Sequence, residues 1–196
     1  MKQNRSIVIL LVTSMLVVLL TGCSGIVKII PAGTESEYTG QTVFDASSVA
    51  ADDWTAVSTE IAGSAAPLAD TLANAQSGSA YSVSFTGTIS EYNTDTPKGY
   101  LAITVDGVAN EVRVQVGSVY SGTTVRDAQT VKAYESFTNQ TEWSAYAKTL
   151  NSQVQANVVD PLGDLSALVG STVEVVGCFT PAADAVVVTP VSIAVQ

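Results

Sequence analysis

The chain has 196 residues, of which 8 are Lys or Arg and 18 are Asp or Glu, and its net charge at pH 7 is −10. A surface of that sign repels phosphate backbones, so the composition argues against a nucleic-acid partner. The sequence contains no His, which excludes His-based catalytic triads, His general bases and His-containing metal sites.

The N-terminal segment, residues 1–22, has the three parts of a bacterial secretion signal. Two basic residues precede an apolar run from Ile7 to Leu20, which is shorter than a membrane-spanning helix. The run ends in Leu20-Thr21-Gly22-Cys23, the pattern that lipoprotein signal peptidases accept. We therefore predict cleavage before Cys23 and lipidation of its thiol. Acyl chains such as palmitate would then hold the mature chain on a membrane.

The residue after the lipidation site predicts where the anchor lies. Residue 24 is Ser rather than Asp, which in a Gram-negative cell directs a lipoprotein to the periplasmic face of the outer membrane. In a cell with one membrane the chain would sit on the outer leaflet, so we expect a cell-envelope protein in either case. Cys178 is then the one cysteine left, which excludes an internal disulfide, and we predict that it is a core residue rather than a nucleophile.

Two segments are predicted before any β-structure. Residues 23–45 mix Gly and Pro with polar residues and show no sustained period, which indicates a lipidated tether. Residues 46–79 form a helical N-terminal segment. Asp45 or Ser47 is placed to cap its first helix, which carries Trp54 on an apolar face, and Pro67 suits the first turn of a second, short helix.

Residues 80–196 are predicted to form one β-domain that contains a helix. Its strands are predicted at Tyr81 to Tyr92, Tyr100 to Val105, Glu111 to Val116, Thr172 to Phe179 and Val186 to Val195, and its helix at Phe137 to Val158. Asp106-Gly107 predicts a two-residue hairpin between strands two and three. This order is that of an OB-type barrel. The predicted fold class is therefore α+β, an OB-like five-stranded β-barrel with an inserted helix, preceded by a short helical segment.

Two stretches, Gly122 to Ala128 and Phe137 to Gln140, are the most specific part of a resemblance that covers nearly all of the mature chain. In this order behind a lipoprotein signal, the chain resembles the bacterial periplasmic lipoproteins grouped as domain of unknown function 2291. The resemblance implies an OB-like β-domain with a helical N-terminal part, and genes placed beside importers for simple sugars. It implies no established activity and no accepted catalytic residues. The stretch Thr55 to Ser58 departs from the family, which has a Lys and a Pro there.

The loop after strand three and the start of the inserted helix are expected at one end of the barrel. The residues predicted to converge there as a ligand or partner site are Tyr120, Arg126, Asp127, Asn139 and Gln140. A guanidinium, a carboxylate and side-chain amides can hold a carboxylate or sugar hydroxyls in fixed geometry. The competing interpretation, which we favour for Arg126, is an internal ion pair that pins the loop to the barrel.

Three further patterns have a functional and a structural interpretation, and the structural one is favoured each time. The stretch Gly117 to Thr124 lacks the Lys of a phosphate-binding loop and is interpreted as a strand exit. Trp54 and Trp143 could stack on sugar rings, but both fall on apolar helix stripes and are predicted core residues. Asp52 and Asp53 lack the spacing of a calcium loop, so we interpret them as complementing the helix dipole.

These observations predict a non-enzymatic binding or accessory module that is anchored to a membrane and supports simple-sugar import. The expected partners are the membrane, through the N-terminal lipid, and a component of a sugar ABC importer or another envelope protein. We expect no cofactor and no metal. The alternatives are a structural envelope lipoprotein with no soluble ligand and an unrecognised hydrolase.

Overall fold

A computed structural model of the chain describes residues 44–182 and 185–196. The predicted signal, the lipidation site at Cys23 and nearly all of the tether lie outside these residues. Within the described residues, none of the helices combines the length and apolar character needed to span a bilayer.

The N-terminal helices form where capping and periodicity predict them. Helix α1 spans Ala46–Ser64, and the Asp45 carboxylate caps it by accepting hydrogen bonds from the N–H groups of Ser47 at 2.9 Å and Ser48 at 3.3 Å. The short strand β1, Ala66–Pro67, leads into helix α2, Leu68–Leu72. This helical segment belongs to the same compact unit as the β-strands that follow it.

Five strands close into a barrel, which confirms the predicted fold. Their bounds are β2 Tyr81–Asn93, β3 Tyr100–Thr104, β4 Val112–Gln115, β5 Thr172–Phe179 and β6 Val186–Val195. Strand β2 pairs antiparallel with both β3 and β5, β3 pairs antiparallel with β4, and β6 pairs antiparallel with β5. The parallel pairing of β4 with β6 completes the ring. Strand β1 adds a short parallel pairing to β2, outside the barrel.

The predicted two-residue hairpin at Asp106-Gly107 is wrong, although the chain does turn there. The N–H of Val108 donates to the carbonyl of Val105 at 3.2 Å, and Gly107 has a φ of +79°. Pairing between β3 and β4 nevertheless stops at Ile103 opposite Val112, so the connection is much longer than two residues. The carbonyl of Glu111, just before β4, accepts from the N–H of Val186 at the start of β6 at 2.9 Å.

The helix predicted between strands three and four is present as α4. A short helix, α3 at Thr124–Asp127, and a 3-10 turn at Tyr134–Ser136 precede it. Helix α4 spans Gln140–Val154 and continues as a π-helical turn at Gln155–Val159. It packs against α1, and α1 packs in turn against β2, β5 and β6.

Cys178 lies in the barrel core, as predicted. Its side chain on β5 is fully buried, its thiol faces the Thr189 carbonyl, and burial raises its pKa to about 12. Because the thiolate is the reactive form, we expect native Cys178 to resist a disulfide reagent such as DTNB at pH 8 and to react only when the protein unfolds. A Cys23→Ser variant leaves Cys178 as the one thiol to be measured. Rapid stoichiometric labelling of the folded variant would contradict this prediction.

Candidate functional site

Arg126 and Asp127 form an internal ion pair beside the first turns of α4. The Arg126 Nη2 lies 2.6 Å from Asp127 Oδ1, and Arg126 Nε donates to the same oxygen at 2.8 Å. The guanidinium also lies 4.4 Å from the centre of the Trp143 ring. Only 11% of the Arg126 side chain is exposed. The internal ion pair agrees with the favoured interpretation. We call the segment held in place, residues 116–139 between β4 and α4, the crossing loop, and Arg126 holds it against α4 rather than against the barrel.

The buried side-chain amide of Gln129 joins two backbone segments of the same loop. Gln129 Nε2 donates to the carbonyls of Arg126 at 3.0 Å and Lys132 at 2.7 Å, and its Oε1 accepts from the Lys132 N–H at 2.8 Å. The carboxylate of Glu60, on α1, accepts from the N–H and the hydroxyl of Thr130. The loop is therefore fixed to both neighbouring helices through hydrogen bonds that the chain itself satisfies.

The dipole interpretation of Asp53 is wrong. Asp53 lies beyond the first turn of α1, which contains no acidic residue. Its Oδ2 lies 2.9 Å from the Lys132 ammonium and accepts from the Tyr146 hydroxyl at 3.1 Å. The carboxylate joins α1 to the crossing loop and to α4, so its role is tertiary rather than local.

The prediction that both tryptophans are core residues is confirmed for Trp54, which is buried on α1. Trp143 is only half-buried. It lies 5.0 Å from Phe137 and 6.2 Å from Tyr146, measured between ring centres. With Arg126 over its ring as well, Trp143 packs against its own chain.

The predicted convergence of all five candidate residues is wrong. Asn139 caps α4, and Gln140 makes only a 3.5 Å contact with Ser144 one turn later. Tyr120 instead donates to Gln155 Oε1 at 3.0 Å, at the far end of the helix. Fifteen helical residues separate the two ends, a distance of about 22 Å.

Asn139 has a local role that can be tested separately. Its Oδ1 accepts from the N–H groups of Thr141 at 2.9 Å and Glu142 at 3.0 Å. Asn139→Ala should therefore lower the free energy of unfolding by about 1 kcal/mol, the usual cost of losing such a cap. Gln140→Ala is the matched control and should change it by less than about 0.5 kcal/mol. Urea denaturation measures both, and equal stabilities of the two variants would contradict the capping role.

Tyr120 lines a wide groove at the C-terminal end of α4. The groove has a volume of about 670 Å³ and also contains Lys148, Asn151, Gln155 and Asp160. Its polar groups bond largely to one another, since Tyr120 donates to Gln155 and Gln155 Nε2 donates to Asp160. Burial raises the pKa of the Tyr120 hydroxyl, so this group stays protonated and acts as a donor.

A second groove, which we call the barrel groove, lies on the outer face of β3, β4 and β6. Its floor is formed by Tyr100, Arg113 and Val187, one from each strand, and Arg113 is the register partner of Val187. The neighbouring residues along these strands point inward and are buried, among them Leu101, Val112, Val114 and Val188. The floor therefore consists of the residues that strand alternation places outside the core.

The walls of the barrel groove come from loops and strand ends. The β2–β3 loop and the end of β2 supply one wall, the crossing loop and the start of α3 another, and the residue after β5 a third: Asn93, Asp95, Thr96, Lys98, Ser121, Gly122, Thr124 and Thr180. The volume is about 560 Å³, within the range of small-molecule sites. Strands two and three of an OB barrel, with the loop between strands one and two, form the face on which such barrels bind ligands. The barrel groove occupies that face.

The Arg113 side chain is held across the floor of the barrel groove. Its Nη2 lies 2.6 Å from Glu111 Oε2, and its guanidinium lies 4.8 Å from the centre of the Tyr100 ring. The hydrogen bond from Arg113 lowers the pKa of Glu111. Arg113 Nε is buried and has no hydrogen-bond partner among the described residues, an arrangement that is uncommon in folded proteins.

Close backbone contacts fix the walls in place. Gln115, which is buried on β4, donates to Thr189 Oγ1 at 2.7 Å and accepts from the Ser121 N–H at 2.7 Å. A Cβ at Gly117 would lie 2.4 Å from the carbonyl carbon of Lys98, so only Gly allows the β2–β3 loop to approach this closely. The stretch from Gly117 to Thr124 thus serves as a strand exit, as interpreted from the sequence, and also positions the loop that carries Lys98.

Sequence reasoning missed the barrel groove, although a signal for it was present. Tyr100 and Arg113 are polar or amphipathic residues that alternate with buried aliphatic residues on the second and third predicted strands. Once the OB order was recognised, these outward positions marked the ligand face. Among the residues that the structure describes, no group of three or more acidic or cysteine side chains is arranged to hold a metal ion.

Comparisons with known proteins agree with the fold. Residues 14–194 match the family described as predicted periplasmic lipoprotein, DUF2291. A crystal structure of an OB-fold protein from Thermotoga maritima superposes with a TM-score of 0.63 at 17% sequence identity, covering 79% of this chain and 100% of that one. At this identity the likeness concerns the fold alone. No protein with a curated description matches the chain significantly.

Proposed function

Because the chain belongs to the DUF2291 family of predicted periplasmic lipoproteins, we propose that it is a non-enzymatic binding module of the cell envelope whose ligand or partner occupies the barrel groove. The observation that carries this proposal is the groove itself. It combines an aromatic ring, two cationic side chains and several neutral polar side chains on the ligand face of an OB barrel. The other groove, at the C-terminal end of α4, is less suited to a ligand because its polar groups bond mainly to one another.

A non-catalytic role is supported by the chemistry of the most reactive groups. The Cys178 thiol is fully buried and its pKa is raised to about 12, so it offers no nucleophile to a substrate. Asp127 accepts hydrogen bonds from both Thr123 and Arg126, and Asp53 is bound by Lys132 and Tyr146. Carboxylates held in this way are structural acceptors rather than free general bases.

The finer part of the proposal is a role in simple-sugar uptake, as an accessory to an ABC importer. It is supported by the gene neighbourhood that the family resemblance implies, and by the mixture of donors and acceptors in the barrel groove, which suits hydroxylated molecules. The partner in this proposal is a permease or a solute-binding protein at the membrane surface.

In-cell photo-crosslinking tests the proposed role. A photoreactive residue at Val187, on the groove floor, should capture an importer component, whereas the same residue at the exposed position Ala56 on α1 should not. A melting-temperature screen with monosaccharides then shows whether the groove takes a sugar directly. Absence of both capture and any melting shift would favour a purely structural envelope protein, and turnover of an envelope substrate would favour a hydrolase.

A further inference from the structure

We propose that the barrel groove recognises a small polyhydroxylated carboxylate, a sugar acid in chemical terms, with the carboxylate held by Lys98 and Arg113. This inference rests on the proposed function of the groove as a ligand site and specifies its ligand class. It is carried by the distribution of positive charge, the fixed position of Arg113 and the neutral polar groups around it.

Positive charge is scarce in this chain, and part of it lies at the barrel groove. Five basic residues fall within the described part of the chain: Lys98, Arg113, Arg126, Lys132 and Lys148. Arg113, Arg126 and Lys132 are each in an ion pair, with Glu111, Asp127 and Asp53 respectively. Lys98 and Arg113 line one groove of a protein whose net charge is −10. In so acidic a protein, two cations against the single lining acid, Asp95, favour an anionic ligand in that groove.

The two cations differ in how they are held. Lys98 is exposed on the β2–β3 loop and makes no ion pair with any described residue. Arg113 is fixed by Tyr100 and Glu111, and 37% of its side chain remains exposed. A guanidinium that is already oriented loses little side-chain entropy when it binds a carboxylate. The Lys98 ammonium, in the wall of the groove, then lies near the same carboxylate and neutralises the rest of its charge.

The other lining groups favour a hydroxylated ligand over a simple anion. Asp95 accepts from Asn93 Nδ2 at 3.3 Å and keeps further acceptor capacity toward the groove that it lines. Thr96, Thr124 and Thr180 add hydroxyl groups, which both donate and accept. Asp95 would repel a second negative charge, so the site suits one carboxylate with hydroxyl groups beside it.

Calorimetry on the full chain, purified from membranes in detergent, tests this inference with D-glucuronate and D-glucose as probes. We expect glucuronate to bind at least tenfold more tightly than glucose in 50 mM salt, and the difference to shrink in 500 mM salt because the charges lie near the surface. Lys98→Gln and Arg113→Gln should each weaken glucuronate binding at least fivefold and weaken glucose binding by a smaller factor. Lys148→Gln, which removes a cation from the other groove, should change neither.

Each alternative result overturns the inference in a different way. Equal binding of the two sugars would refute recognition of the carboxylate but would leave the proposed binding function standing. Glucuronate binding that survives both substitutions would place the ligand elsewhere. If neither sugar binds, the inference is wrong, and crosslinking at Val187 decides the proposed function separately. Melting curves identify an Arg113 variant that fails to fold, in which case Lys98→Gln, on an exposed loop, carries the test.

Discussion

Replacement of Cys23 by Ser is expected to abolish acyl labelling and to release the chain from membranes. The lipoprotein pathway attaches diacylglycerol to a thiol, and the Ser hydroxyl cannot replace it. Two or three acyl chains contribute about 0.8 kcal/mol for each buried CH2 group, far more than one myristoyl chain provides. Metabolic labelling with an alkyne analogue of palmitate, followed by fractionation, measures both effects. This prediction rests on the sequence, since Cys23 lies outside the described residues.

Cys178→Ala is the matched control, because it removes the other cysteine and should retain full labelling. The Cys23 variant should accumulate as unprocessed precursor, which its uncleaved signal holds at the membrane, or as processed soluble protein. Acyl labelling that persists in the variant would show that the lipidation assignment is wrong.

Arg126→Ala is expected to lower the free energy of unfolding by about 2 to 4 kcal/mol, because it removes a nearly buried side chain together with its contacts to Asp127 and Trp143. The substitution removes the ion pair with Asp127 and uncovers the Trp143 ring. The ion pair alone is worth less, since 39% of the Asp127 side chain is exposed. The stacking on Trp143 and the packing of the Arg stem supply the remainder. Chemical denaturation monitored by tryptophan fluorescence measures the change.

Lys148→Ala is the control for Arg126→Ala, since Lys148 is exposed and forms no ion pair with any described residue. It should change stability by no more than about 0.5 kcal/mol. If Arg126→Ala melts like the parent chain but fails to recover a partner in crosslinking, Arg126 belongs to a functional site and the structural interpretation is wrong.

The barrel could be predicted because each strand carries its own signal. Strands β5 and β6 have the predicted bounds, Thr172–Phe179 and Val186–Val195, since runs of valine alternate there between core and surface. The N-cap at Asp45 is an equally local signal, because a cap accepts from N–H groups two or three residues away. Local patterns of this kind were enough to establish the OB order.

Roles that depend on distant partners could not be predicted. Asp53 binds Lys132, which is 79 positions away, and no local pattern around Asp53 in the sequence identifies that partner. Tyr120 and Asn139 were placed together by topology alone, and the length of α4 separates them. The barrel groove was missed because its floor comes from three strands, and the register between β4 and β6 exists only after the barrel closes.

The pairing of β4 with β6, which closes the barrel, also lies beneath the barrel groove, and we call it the seam. It spans only Val112 to Val114 opposite Val186 to Val188, whereas β2 pairs with β5 from Tyr81 to Thr88. Short ladders open locally at a lower free energy than long ones, so the amides of this seam should exchange with deuterium sooner than those between β2 and β5. Arg113 and Val187 face each other across it, and a molecule bound to both would brace the two strands. Slower deuterium uptake confined to this seam would therefore report an occupied groove in a crude envelope extract, before the occupant has been identified.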